Sequence, residues 1–176
     1  MREPTGIAGL PRDGANEEIR RRLEARGLAL PAPWQLPPGV RVPATLVRVT
    51  GTRVWVSGHV PLDTDGTIAR PLGRVDAEVD LAAAQRAGVG VLLAILASLE
   101  QALGDLGRVR AWCRLFCMVN ASPGFDAFPA VFNPASQLLL DLFGEEVGMH
   151  ARVAIGVAGL PWNVPVEIQA DLELEP

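Results

Sequence analysis

The sequence contains no lysine and no tyrosine. All sixteen of its basic residues are arginine, in a chain of 176 residues. Without lysine, the chain cannot form a Schiff base with a carbonyl substrate or supply the lysine of a phosphate-binding P-loop. Without tyrosine, no phenol can act as a catalytic acid or base. These absences exclude several enzyme classes before any motif is considered.

Positive charge is scarce overall. The formal net charge is −4, with 49% hydrophobic and 20% charged residues. A dedicated nucleic-acid-binding protein needs a basic face that displaces counterions from phosphates. Nucleic acid is therefore not an expected partner. The length and composition are typical of one globular domain with a sizeable core.

Cysteine is also rare, with Cys113 and Cys117 as its two occurrences. They lie four residues apart on a predicted strand, so they are expected on the same face with Cα atoms roughly 13 Å apart. That separation is too large for a disulfide. We expect two buried free thiols, and a redox pair only if the strand assignment is wrong.

Long apolar runs are missing. The most apolar stretch, Val89–Leu99, has eleven residues and is followed by Glu100, which is too short to span a bilayer. Residues 1–27 contain no apolar segment of the kind found in secretory signals. The expected location is the cytoplasm, without membrane association.

The first 44 residues differ in character from the rest. Residues 16–26 form a charged pattern that predicts a short helix, with Asn16 as N-cap and Gly27 as its end. Five prolines between residues 28 and 43 predict an extended connector. We therefore divide the chain into an N-terminal extension, residues 1–44, and a domain, residues 45–176.

The domain is predicted to have the element order β-β-α-β-α-β-β. Such an order favours an α+β fold with two helices on one face of a mixed sheet. Pro129 and Pro134 leave the start of the second helix open between Phe128 and Pro134. The predicted elements are strands at Leu46–Val49 and Arg53–Ser57, a helix at Asp76–Leu106, a strand at Val109–Val119, a helix at about Phe128–Phe143, a loop at Gly144–His150, and strands at Arg152–Val157 and Val164–Glu173.

Three segments in this order resemble the Rid (YjgF) family, also labelled endoribonuclease L-PSP. The first is Val54–Pro61 (VWVSGHVP), similar to the family's strand ending in Ser-Gly. The second is Phe132-Asn133, at a helix position where the family has an Asn. The third begins at His150-Ala151-Arg152, with Glu167 fifteen residues after Arg152, which is the family's spacing. The resemblance covers about 130 of the 176 residues and is closest to a branch with a longer loop before the signature arginine.

The resemblance implies a chorismate-mutase-like (YjgF-like) fold. Three chains would pack their sheets into a central β-barrel, with helices outside and ligand clefts between subunits. The predicted strand Val109–Val119, apolar on both faces, is consistent with a sheet covered on both sides. A monomer with a two-layer core is the alternative.

The resemblance also implies a site. Arg152 would bind a substrate carboxylate through its guanidinium fork, and Glu167 would position or activate water. Further substrate-binding positions would be Ser57, Gly58, His59, Asn133 and Ala154. Ala154 stands where a cysteine is common in the family, and the family's tyrosine falls near Ala44.

Each of these residues also has a structural interpretation. Arg152 could be a solvated or paired residue at a strand edge, and Glu167 could belong to a solvated acidic strand face. Asn133 could cap a helix that starts at Pro134, and the Ser57 hydroxyl could bind backbone. His59, His150 and Glu167 could form a metal set, but their spacing is no recognised metal motif. No metal and no cofactor are expected.

By resemblance, the leading function is hydrolytic deamination of enamine or imine intermediates derived from amino acids, which releases ammonia and a 2-oxo acid. The alternative is a non-catalytic protein of the same fold that binds a small carboxylate-bearing metabolite, since the family tyrosine is missing. An endoribonuclease is the more remote alternative.

Overall fold

The domain consists of a β-sheet with two long helices on one face, as its hydrophobic periodicities predict. The computed structural model describes residues 14–176, and the predictions for residues 1–13 lie outside the described residues. The elements are α1 (Ala15–Glu24), β1 (Val47–Thr50), β2 (Arg53–His59), α2 (Leu81–Leu103), β3 (Val109–Asn120), α3 (Phe128–Gly148), β4 (Ala151–Val157) and β5 (Val166–Leu174), with short 3-10 turns at Leu106–Arg108 and Pro161–Asn163.

The five strands form one mixed sheet in the order β1-β2-β5-β3-β4. β3 and β4 are parallel, and all other neighbours are antiparallel. α2 and α3 pack on one face of the sheet, where the alternate strand residues are buried. The predicted α+β class, with two helices on one face of a mixed sheet, is confirmed. The opposite face is not covered by any described element of the chain.

Helix α2 is shorter than its predicted envelope of Asp76–Leu106. Asp80 caps it, because its carboxylate accepts a hydrogen bond from the Ala83 backbone N–H at 2.7 Å. Asp76 has a φ of 71°, which is incompatible with a helix. The 23 residues of α2 are long and apolar enough to cross a membrane, but half of its most apolar window is buried in the protein. It is therefore the core helix of an α+β domain.

Helix α3 begins at Phe128 and contains both prolines, so the alternative start near Pro134 is wrong. Pro134 has no N–H to bond to the carbonyl of Ala130. That carbonyl instead accepts a hydrogen bond from Gln85 Nε2 of α2 at 2.9 Å. The helix bends at Gly144 (φ 78°, ψ 169°) and continues to Gly148, so the predicted loop at Gly144–His150 is mostly helical.

Strand β3 contains an irregularity that overturns the prediction for the cysteines. Its register with β5 shifts between Trp112 and Arg114, and an extra residue at a bulge interrupts the alternation of faces. Cys113 is exposed and Cys117 is buried, both as free thiols. The expectation of two buried thiols on one face is wrong for this reason.

Helix α1 packs against α3 and the turn after α2 and buries Ile19 and Leu23. Its N-cap is Gly14 rather than Asn16. The Asn16 side chain reaches across to the end of α2, where its Nδ2 donates to the Gly104 carbonyl at 2.8 Å and its Oδ1 accepts from the Leu106 N–H at 2.7 Å. The predicted N-cap therefore serves as a tertiary anchor of α1.

Candidate functional site

A β-bulge brings Ser57 and Gly58 to Glu167. The register between β2 and β5 shifts between Val56 and His59, and bulges are common next to active sites because they redirect the strand. A Cβ placed on Gly58 would lie 1.8 Å from Glu167 Oε1. Glycine at position 58 is thus required for the carboxylate to lie where it does.

The Glu167 carboxylate has no hydrogen bond or ion pair to any residue in the range 14–176. Burial raises its pKa above the ordinary value of 4.5, because desolvation disfavours the charged form. The Ser57 hydroxyl donates to the Thr45 carbonyl at 2.7 Å, which leaves its oxygen free to accept. We call Glu167, Ser57 and Gly58 the Glu167 half-site.

Arg152 lies on the edge strand β4, and its guanidinium is held by neutral acceptors of α3. Nη2 donates to Asn133 Oδ1 at 2.9 Å and to the Pro129 carbonyl at 3.2 Å, and Nη1 donates to Ser136 Oγ at 2.8 Å. No carboxylate within the described residues forms an ion pair with it. Asn133 lies inside α3 and does not cap the helix. The result is an oriented, partly exposed cation without a counter-ion.

Ser136 links Arg152 to His150. His150 Nδ1 lies 2.7 Å from the Gly148 carbonyl, and Nε2 lies 3.0 Å from Ser136 Oγ. A carbonyl can only accept, so Nδ1 carries the proton and Nε2 accepts from the serine hydroxyl. Burial lowers the pKa of His150, and the Arg152 charge lowers it further. We call Arg152, Asn133, Ser136 and His150 the Arg152 half-site.

Ser136 was not predicted as a site residue, although its spacing from Asn133 could have indicated it. It lies three residues after Asn133, which places both on one face of a helix, while His150 and Arg152 lie two residues apart on one face of a strand.

His59 does not line the cleft. It is fully buried, with Nδ1 2.7 Å from the Ser57 carbonyl and Nε2 2.9 Å from Ser98 Oγ of α2. Nδ1 carries a proton because the Ser57 carbonyl can only accept, and burial lowers the pKa of the ring. The structure gives His59 the role of fixing the backbone of the Ser57–Gly58 bulge from behind.

The two half-sites lie on opposite faces of the sheet of one chain. Arg152 pairs with Leu115 of β3, which is buried on the helix side, whereas Glu167 pairs with Met118. Leu115 and Met118 are three positions apart on β3, so Arg152 and Glu167, which pair with them, have side chains on opposite faces of the sheet. Two strand spacings and three residue rises place the two Cα atoms roughly 14 Å apart. One chain by itself does not bring Arg152 and Glu167 together.

A cleft of about 200 Å³ opens beside Glu167, between the connector and the turn at Pro161–Asn163. Ala44, near which the family tyrosine is expected to fall, lies on the wall of the cleft. The aromatic part of its lining could not be predicted from the sequence, because Trp34 lies in the connector and Trp162 in a turn. The cleft is lined by Trp34, Leu36, Val42, Ala44, Thr45, Leu46, Ser57, Gly58, Val60, Pro161, Trp162 and Glu167.

Ala154 pairs with Cys117 of β3. Burial raises the pKa of the Cys117 thiol to about 12, so this thiol is protonated at neutral pH and is a poor nucleophile. The part of the chain that the structure describes also contains no group of three His, Cys, Asp or Glu side chains placed to hold a metal ion.

A mixed five-stranded sheet, two helices on one face and a bulged Ser-Gly strand end beside a carboxylate define a YjgF-like α+β protein. Protein TCP17 of Trypanosoma cruzi is 39% identical to this chain, over 77% of it and 89% of that protein. These findings place the chain in the Rid (YjgF) family. No family model matches the sequence.

Solved structures agree with this assignment. The protein Atu1372 of Agrobacterium tumefaciens, of unknown function, matches with a TM-score of 0.82 and 36% identity over 92% of this chain and 96% of that one. An endoribonuclease candidate from Shewanella oneidensis matches with a TM-score of 0.77 and 28% identity, covering 89% and 99%. TdcF of E. coli, solved with bound serine, shares the fold with a TM-score of 0.55 at 19% identity, covering 84% and 96%.

Proposed function

We propose that this chain is a cytoplasmic hydrolase that deaminates enamine or imine intermediates derived from amino acids, and that it works as a homotrimer. The observation that carries the proposal is the state of Arg152. Its guanidinium is oriented by Asn133, Ser136 and the Pro129 carbonyl, yet it has no carboxylate partner among residues 14–176. Uncompensated, oriented guanidinium groups are suited to bind the carboxylate of a small ligand.

Self-association follows from the two half-sites. Arg152 and Glu167 can act on one molecule only if the Arg152 half-site of one chain faces the Glu167 half-site of another. The uncovered sheet face supports such an assembly, because it presents Trp55, Val153 and Ile155 with exposed fractions of 44%, 38% and 37%. Large apolar side chains that remain exposed on an uncovered sheet face are typical of subunit interfaces.

The proposed reaction requires little from the protein beyond positioning. The oxygen of a water molecule adds to the imine carbon, the carbon–nitrogen bond breaks, and ammonia leaves to give the 2-oxo acid. The Glu167 carboxylate would accept a proton from the attacking water and return it to the nitrogen. A carboxyl group whose pKa is raised towards neutrality is suited to both steps. The bound serine of TdcF supports a ligand that carries an α-carboxylate.

A second candidate is a binding protein without catalysis. The chain contains no tyrosine, so the hydroxyl group of the family tyrosine, which catalysis could require, is missing. In this case the same Arg152 would bind a small carboxylate metabolite. The endoribonuclease candidate is weaker, because His59 is fully buried and His150 is half-buried, so the chain offers no pair of exposed histidines for acid–base cleavage of RNA.

The decisive assay generates 2-aminoacrylate with a dehydratase and follows keto-acid release in the presence of a trap for the free enamine. Wild-type protein should accelerate release, and Arg152→Ala should abolish the acceleration. Arg21→Ala is the matched control, since Arg21 lies on α1 with 77% of its side chain exposed, and it should behave as wild type.

If wild type does not accelerate release but carboxylates raise its Tm, and do not raise that of Arg152→Ala, the binding protein is the correct function. If neither effect occurs, both candidates fail.

A further inference from the structure

The connector between α1 and β1 forms a fixed wall of the cleft. It is hydrogen-bonded to the loop after β2, where the Ala32 N–H donates to the Thr64 carbonyl and the Gln35 N–H to the Gly66 carbonyl, both at 2.9 Å. Gln35 Nε2 donates to the Asp65 carbonyl at 2.9 Å. Three bonds within four connector residues hold Trp34 in place over the cleft.

The turn Pro161–Asn163, on the other side of the cleft, is also fixed by its contacts. Trp162 has a φ of 53° and Asn163 a φ of 58°, a conformation that bulky residues rarely adopt. Asn163 is fixed because its carbonyl accepts from the Gly73 N–H at 2.7 Å and its Oδ1 accepts from the buried Asn120 Nδ2 at 3.0 Å. Strained residues that the surroundings enforce are concentrated at ligand sites.

The two tryptophans meet edge to face, with ring centroids 5.6 Å apart. With Leu36 and Val42 they form an apolar lobe of the cleft, which we call the Trp compartment (Trp34, Leu36, Val42, Trp162). The cleft volume is about 200 Å³, whereas an apolar cavity of roughly 150 Å³ holds a benzene molecule. The cleft therefore exceeds what a three-carbon substrate needs.

We propose that the Trp compartment receives the side chain of the substrate and selects 2-imino acids with a large apolar side chain, aromatic or branched aliphatic. This inference rests on the proposed function, because the reacting carbon would lie at Glu167 and the carboxylate at Arg152 of the neighbouring chain. The chemistry of the wall supports it, since burial of an apolar side chain among indole and aliphatic groups removes it from water. The selecting residues Trp34, Leu36 and Val42 lie in the proposed N-terminal extension, residues 1–44.

The test compares the imines of phenylalanine and alanine, each generated by an amino-acid oxidase and followed by keto-acid release. Wild type should show a kcat/KM at least about tenfold higher for the phenyl imine, because even one methylene group is worth roughly tenfold or more in an apolar pocket. Val42→Trp fills the compartment and should reduce this ratio at least about fivefold. Val40→Trp, two residues earlier on the connector and 40% exposed, lies outside the cleft and should keep the wild-type ratio.

A second readout separates this inference from the proposed function. Binding of phenylpyruvate and pyruvate, measured by calorimetry, needs no catalysis. If the protein hydrolyses both imines equally and binds both acids equally, the compartment is not a specificity site, although hydrolysis stands. If it hydrolyses neither imine yet binds phenylpyruvate at least about tenfold more tightly, the compartment stands and the hydrolase fails.

Discussion

Arg152 and Glu167 are charged side chains without a partner of opposite sign in the described part of their own chain. An unpaired charge that is partly removed from water costs free energy, which a protein retains chiefly where function requires it. The contacts around both side chains support the same interpretation. Asn133 and Ser136 orient the cation with neutral oxygens, and Gly58 makes room for the carboxylate.

The raised pKa of Glu167 makes a prediction about stability. The unfolded chain has the ordinary pKa of 4.5, and the folded chain has a higher one, so ionisation is disfavoured by folding. The cost is absent below the unfolded pKa and fully present above the folded pKa. In protein dilute enough to be monomeric, no Arg152 of a neighbouring chain can offset this cost. Under that condition Glu167→Gln should have a higher Tm than wild type at pH 7 and an equal Tm at pH 4, measured by calorimetry. A wild type that is the more stable of the two at pH 7 would show that the carboxylate has a stabilising partner.

At the scale of elements, chain order and strand type could be predicted from the sequence, because alternation and helical periodicity are local properties. The boundaries that failed depended on single backbone conformations or distant contacts. Asp80 ended the extended segment before α2, and Gln85 compensated the carbonyl left by Pro134. The bulge at Cys113 could not be predicted, because no glycine lies beside it in the sequence. Asn16 was predicted as an N-cap from its local sequence. Its actual hydrogen-bond partners lie about ninety residues away and could not be predicted locally.

Asn16 therefore gives a prediction for α1. Asn16→Ala removes two side-chain hydrogen bonds to Gly104 and Leu106 and should cost about 2 kcal/mol of unfolding free energy, seen as a Tm about 4–8 °C lower. Hydrogen exchange should rise first in Ala15–Glu24. The exposed neighbour Glu17 provides the control, since Glu17→Ala should cost less than about 0.5 kcal/mol. Equal effects of the two substitutions would mean that Asn16 does not anchor the helix.

At the scale of the whole molecule, the family's spacing between Arg152 and Glu167 was visible in the sequence, but the relation of their side chains was not. The strand order β5-β3-β4 places β3 between the two residues. The registers of β4 and β5 with β3 turn their side chains to opposite faces of the sheet. A single chain does not bring the two side chains together. In the proposed assembly a second copy would complete the site, with Arg152 from one chain and Glu167 from the other.

Subunit mixing tests this claim most directly. Arg152→Ala and Glu167→Gln proteins, each inactive alone, are unfolded together, refolded in equal amounts and assayed for imine hydrolysis. If each site combines Arg152 of one chain with Glu167 of the next, random mixing makes about one quarter of the sites wild type. About one quarter of wild-type activity should therefore be recovered. Mixed oligomers that form but remain as inactive as the separate variants would contradict it.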